Sequence, residues 1–108
     1  MAEPTLTQVF GAGASQTATT ITLTKADLTG LVASSTNRAE ELFVAIMLKA
    51  AAYLNETQRQ LDPVNVNVSI SAGLPQFVIV GGSQYRRDIL QAALYKLDGG
   101  ENISPGNY

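Results

Sequence analysis

The stretch VNVNVSIS, from Val64 to Ser71, decides the expected fold because β-branched apolar residues alternate strictly with polar ones. Successive side chains of a strand point to opposite faces, so this alternation separates an apolar face from a polar one. The apolar face would carry Val64, Val66, Val68 and Ile70, and the polar face Asn65, Asn67, Ser69 and Ser71. The pattern predicts a half-buried antiparallel strand.

Further strands are expected downstream, separated by glycine-containing turns. Residues 76–80 (QFVIV) form a short apolar stretch that should pair with 64–71 as a hairpin. Residues 85–97 are ambiguous, because their leucines fit a helical stripe whereas the Gly81-Gly82 turn suits another hairpin. A two-stranded sheet is marginal alone, which favours a strand here and leaves a helix as the alternative.

Upstream of these strands, one long helix is expected over residues 38–57. Asn37 and Glu40 have the spacing of an N-cap pair, and apolar residues then recur at intervals of three and four. Val44 and Leu48 add apolar surface outside that stripe. A helix that is apolar on most sides is usually buried on most sides, so one face is a candidate oligomer contact.

The sequence of the N-terminal third predicts one strand that follows an N-terminal arm. Residues 17–24 (TATTITLT) are rich in β-branched residues, which favour strands. Residues 1–16 are expected to be a flexible or exchanged arm, in which 5–10 (TLTQVF) is strand-like and Gly11–Ser15 is a joint. Residues 99–108 are expected to form a polar C-terminal tail.

Together these elements predict a single α+β domain, residues 1–108. An antiparallel sheet of about four strands would carry the long helix on one face. The predicted core consists of Ile21, Leu23, Leu42, Phe43, Ile46, Ala50, Leu54, Val66, Val68, Ile70, Phe77 and Ile79.

Composition argues against several classes of function. The chain has no cysteine and no histidine, which removes the thiolate and imidazole ligands and the commonest general base. We therefore expect no enzyme, metal or cofactor, and no small-molecule ligand. The net charge of −2 disfavours nucleic-acid binding, and no apolar run is long enough to cross a membrane. The expected location is the cytoplasm, or a virion if the protein derives from a phage.

Two groups of residues are candidates for interaction. Tyr85, Arg86 and Arg87 form the densest polar cluster, and guanidinium groups bind carboxylates or phosphates well. Solvated or intersubunit salt bridges are the alternative role for these arginines. Asn65 and Asn67 would present an uncharged hydrogen-bonding face, which could equally be the wet side of the sheet.

The low proportion of charged residues favours association with other protein chains over catalysis. Charged residues make up 15% of the chain, against about 25% in typical proteins. We therefore expect a small structural or assembly protein that forms homo-oligomers, as in a phage particle or a similar assembly. A small non-catalytic binding or accessory module, with another protein as partner, is the alternative.

Overall fold

Three α-helices and six short strands make up the part of the chain that the structure describes. The computed structural model describes residues 3–96, 103 and 105–108. The helices are α1 (Leu6–Phe10), α2 (Ala39–Tyr53) and α3 (Glu56–Leu61), with 3-10 turns at Lys25–Asp27 and Pro105–Asn107. The strands are β1 (Ser15–Gln16), β2 (Ile21–Thr22), β3 (Val68–Ala72), β4 (Gln76–Val80), β5 (Ser83–Arg87) and β6 (Leu90–Leu94). Every strand pair is antiparallel, so the predicted α+β class is confirmed.

The long helix is present but bent, because Asn55 ends one segment and begins the next. Its amide nitrogen donates to the carbonyl oxygens of Ala51 and Ala52 near the end of α2. Its side-chain oxygen accepts from the Gln58 N–H in the first turn of α3. At the other end, Glu41 rather than Glu40 accepts from the Arg38 N–H, which corrects the predicted cap by one residue.

The N-terminal segment differs from the predicted strand-like arm. Residues 6–10 form α1, because Thr5 and Gln8 make a capping box with hydrogen bonds of 3.2 and 2.9 Å. The predicted strand over residues 17–24 is only partly correct, because within this range only Ile21 and Thr22 form a strand. Hydroxyl groups of Thr17 and Thr20 bond locally and close a turn, so only short β1 and β2 pair across it.

Strands β3 to β6 form an antiparallel two-stranded ribbon, residues 68–94, rather than one wider sheet. Strand β3 pairs with β6 and not with β4, which corrects the predicted hairpin between residues 64–71 and 76–80. Strand β4 pairs with β5 across Gly81 and Gly82. The Gly73 N–H donates to the Ile89 carbonyl at 2.8 Å and connects the two pairs. Residues 85–87 end β5 and residues 90–94 form β6, so the favoured β-structure is confirmed there, although as two strands rather than one over 85–97. Leu97 lies outside the described residues.

The core lies where α1, α2 and β3 meet. Val9, Ala50 and Ile70 are its buried members, so part of the predicted arm packs inside its own chain. The Ile70 N–H donates to the Leu54 carbonyl at 2.8 Å and fixes β3 against the end of α2. Partly buried side chains surround these three residues, namely Phe10, Met47, Ala51, Tyr53, Leu54 and Val68.

The predicted core is only partly correct. Ala50, Val66 and Ile70 are buried as expected. Half-buried members of the predicted set are Leu23, Leu42, Ile46, Leu54 and Val68. Exposed members are Ile21, Phe43, Phe77 and Ile79. The chain therefore presents several large apolar side chains that a self-contained domain would bury.

Candidate interaction surface

The outer half of the ribbon, residues 76–87, is a hairpin with apolar side chains on both faces. We call it the distal hairpin. Phe77 lies opposite Arg86, and Ile79 lies opposite Gln84, so these four side chains share one face. Phe77 and Ile79 are 72% and 74% exposed. Because every β5 residue is also exposed, this face meets solvent along its length.

The opposite face of the distal hairpin is also exposed. It carries the cross-strand pairs Gln76–Arg87, Val78–Tyr85 and Val80–Ser83. Val80 and Tyr85 are both more than half exposed. An isolated ribbon with apolar residues on both faces has no core side of its own, which is the usual state of an element that packs against a partner.

A second apolar surface lies on the middle part of α2. Phe43, Val44 and Leu48 are large and at least two-fifths exposed, and we call them the helix patch. They are interspersed with the buried residues Ala45 and Ala50, so one side of α2 is covered while another is exposed.

An open cleft of about 570 Å³ connects the two surfaces. Val44 and Leu48 of α2 form one wall. The bend of the ribbon forms the other, through Ala72, Gly73, Pro75, Arg86, Asp88, Ile89 and Leu90. Apolar surface therefore runs from the helix patch across the cleft towards the distal hairpin.

The arginine cluster is present but does not converge. Arg86 and Arg87 are adjacent in β5 and point to opposite faces. The Arg86 Nε donates to the Asp88 carboxylate at 2.9 Å, and both side chains are exposed. Arg87 instead donates to the Gln76 side-chain oxygen. Each guanidinium group thus has a local partner on its own side of the hairpin.

The two asparagines lie in the loop between α3 and β3, not on a flat strand face. The Asn65 side chain donates to Asp62 at 2.9 Å, and this hydrogen bond lowers the pKa of the Asp62 carboxyl group. The Asn67 carbonyl accepts from the Tyr95 N–H. Ser69, predicted on the same wet face, is buried. The regular polar face is therefore absent, because the strand begins only at Val68.

Sequence reasoning did not find the contact between Arg59 and Tyr95. The guanidinium carbon lies 3.5 Å from the centre of the Tyr95 ring, in cation–π geometry. The Arg59 Nε is buried and makes no hydrogen bond. A pocket of about 310 Å³ beside it includes Asn67 and Lys96. Arg59 and Tyr95 are far apart in the sequence, and no local pattern links them.

Within residues 3–96, 103 and 105–108, no helix is long and apolar enough to cross a membrane, and no three His, Cys, Asp or Glu residues are grouped so that they could hold a metal ion. Comparisons with protein families, curated proteins and solved structures found no match for the chain.

The exposed apolar residues were misassigned by sequence reasoning. Phe77, Ile79 and Phe43 carry apolar side chains in regular elements, so they were predicted as core. A usable indication was the unbroken apolar run FVIV, residues 77–80, before a Gly-Gly turn, because this run lacks the polar face of a half-buried strand. Such a run requires cover on both sides.

Proposed function

We propose that the protein is a structural or assembly subunit that associates into homo-oligomers through the distal hairpin and the helix patch. The observation that carries the proposal is the exposure of Phe77 and Ile79, each above 70%, on a ribbon with no core face. Soluble monomers seldom leave contiguous apolar patches uncovered, and larger ones usually mark interaction sites. A repetitive assembly such as a phage particle is the expected setting.

Surface area supports the same proposal. The accessible surface is 7856 Å², whereas a folded monomer of this mass exposes about 5,800 Å². The excess of about 2,000 Å² exceeds the roughly 800 Å² that each partner contributes to a standard interface. One copy thus has enough surplus surface for two contacts, as a repetitive assembly requires.

Solution size tests this proposal. We expect wild-type protein at tens of micromolar to sediment as an oligomer, and the double variant Phe77→Ser, Ile79→Ser to sediment as a monomer. Val32→Ser is the matched control, because Val32 is 81% exposed but lies outside both surfaces. A wild-type protein that stays strictly monomeric would overturn the proposal. The genes beside its own would test membership of a phage particle.

The alternative function is a small binding or accessory module. Its supporting observation is the buried, unbonded Nε of Arg59 beside the pocket at Tyr95. This alternative would be favoured if the wild type is monomeric and captures a partner protein, and if the Arg59→Ala variant is folded but no longer captures that partner.

A further inference from the structure

The cleft between α2 and the ribbon has room for apolar side chains of an added β-hairpin. Its walls are Val44 and Leu48 of the helix patch and the ribbon bend, and its volume of about 570 Å³ is open to solvent. Arg86 of the same chain's distal hairpin borders this space, whereas Phe77 and Ile79 do not line it.

The apolar side chains on the hairpin and on the helix have matching spacing. Phe77 and Ile79 are two residues apart on one strand face, a separation of about 6.6 Å. Val44 and Leu48 are one helical turn apart, a separation of about 6 Å along the axis. Phe77 can therefore lie on Val44 while Ile79 lies on Leu48.

Charge complementarity accompanies this match. Arg86 lies directly opposite Phe77 and shares its face. Glu40 lies one turn before Val44 and is exposed, at the start of α2. When Phe77 lies on Val44, the long Arg86 side chain comes within reach of the Glu40 carboxylate. The alignment thus pairs opposite charges as well as apolar groups.

Docking of the distal hairpin in the cleft of a second copy accounts for the exposed apolar residues better than pairing between the ribbon edges of two copies. Edge pairing would satisfy backbone hydrogen bonds. It would leave Phe77, Ile79 and the helix patch in water. Docking of the hairpin face on the helix covers Phe77 and Ile79 together with Val44 and Leu48. It also uses the surplus surface, which exceeds what a stable dimer needs.

We infer that the distal hairpin of one copy docks in the cleft of a second copy, with Phe77 and Ile79 on Val44 and Leu48 and with Arg86 beside Glu40. This arrangement rests on the proposed self-association and names its contact. It joins two different surfaces, so a copy damaged on one surface still offers the other.

A mixing experiment tests the docking directly. The hairpin variant Phe77→Ser, Ile79→Ser and the helix variant Val44→Ser, Leu48→Ser are each expected to sediment as monomers with wild-type circular dichroism. Mixed in equal amounts, they form a heterodimer, because the helix variant supplies an intact hairpin and the hairpin variant an intact cleft. We expect the heterodimer to be at least tenfold tighter than either homodimer.

Two results would overturn the docking while leaving self-association intact. One is a helix variant that remains oligomeric like wild type, which indicates edge pairing. The other is a mixture that stays monomeric although each variant is folded and the wild type associates. A monomeric wild type would overturn both this contact and the proposed function.

Crosslinking gives a second measurement that does not depend on disruptive variants. The chain has no cysteine, so single introduced thiols react uniquely. A mixture of Leu48→Cys and Ile79→Cys chains treated with a short bismaleimide should give a mixed crosslinked dimer. A mixture of Val32→Cys and Ile79→Cys chains should give none, and equal yields from the two mixtures would contradict the docking.

Exchange of the charges at positions 86 and 40 tests the proposed alignment of the hairpin on the helix. Arg86→Glu and Glu40→Arg should each weaken association severalfold, because each brings like charges together. The two variants mixed with each other, or combined in one chain, should recover wild-type association. Additive weakening in the combined chain would exclude contact between these two residues.

Discussion

At the scale of single residues, local hydrogen bonds decide where elements begin and end. Thr5 caps α1, Asn55 divides the long helix, and Thr17 with Thr20 closes the turn between β1 and β2. In each case a short polar side chain supplies a hydrogen-bond partner for a backbone group that would otherwise lack one. These contacts explain why the observed boundaries differ from the predicted ones.

The cap of α1 is expected to contribute measurably to stability. Thr5→Ala removes the oxygen that accepts from the Gln8 N–H, which should lower the free energy of unfolding by about 1 kcal/mol. Urea denaturation measures this change. The control is Thr19→Ala, at an exposed position in the β1–β2 turn, which should change stability by less than about 0.5 kcal/mol.

The pKa of Asp62 should depend on its asparagine partner. Because the Asn65 side chain donates to the ionised carboxylate, its removal in Asn65→Ala should raise the Asp62 pKa towards the ordinary value of about 3.9. Because the Asp62 pKa is lowered in the folded protein, the ionised carboxylate stabilises the fold at pH values above its ordinary pKa. This contribution is lost as the pH falls through the pKa of the folded state. Carboxyl titration by NMR measures the shift, and Asn67→Ala should leave the pKa in place.

At the scale of elements, the ribbon depends on its tight turn. Gly81 and Gly82 have φ angles of 58° and 82°, in the left-handed region that β-branched residues avoid. Two positive φ angles are typical of the type I′ turn that connects two-residue hairpins.

Substitution in this turn should separate backbone strain from side-chain bulk. Gly82→Val should destabilise the protein by about 1–2 kcal/mol, because valine strongly disfavours a positive φ. Gly81→Asn should be nearly neutral, since Asn-Gly is a preferred sequence for this turn. Urea denaturation of both variants is the measurement, and equal losses would contradict the proposed role of φ.

Periodicity predicted the kinds of element more reliably than their pairing. The apolar stripe of α2 and the apolar run of β4 were found because each has a local repeat. The pairing of β3 with β6 depends on residues distant in the sequence, such as Ser71 and Gln91, which a local pattern does not connect. The same limit applies to the candidate surface. Phe77 was recognised as apolar, but its exposure depends on what the rest of the chain fails to cover.

At the scale of the whole molecule, the chain is extended for its length. Its radius of gyration is 16.3 Å, whereas a compact chain of this size has about 13 Å. The buried core is small, and Val66 is the largest side chain that is fully buried among the described residues. Under the proposed self-association, contacts between copies should therefore contribute strongly to stability.

Thermal unfolding should be concentration-dependent. Association favours the folded state by mass action, so the Tm should rise by roughly 2–5 °C for each tenfold increase in protein concentration. Differential scanning calorimetry at several concentrations measures this shift. The Phe77→Ser, Ile79→Ser variant should show a lower Tm that no longer varies with concentration, and a wild-type Tm independent of concentration would contradict the expectation.

The ribbon bend also bears on how such a protein could diversify. Three residues, 73–75, separate β3 from β4, but only two, 88 and 89, separate β5 from β6. Side chains alternate between faces, so deleting one residue from 73–75 would turn the β4 side chains over relative to β3. A single-codon deletion could then exchange the face that carries Phe77 for the face that carries Val78. Under the proposed self-association, such a deletion would change which side chains meet a second copy without altering the core.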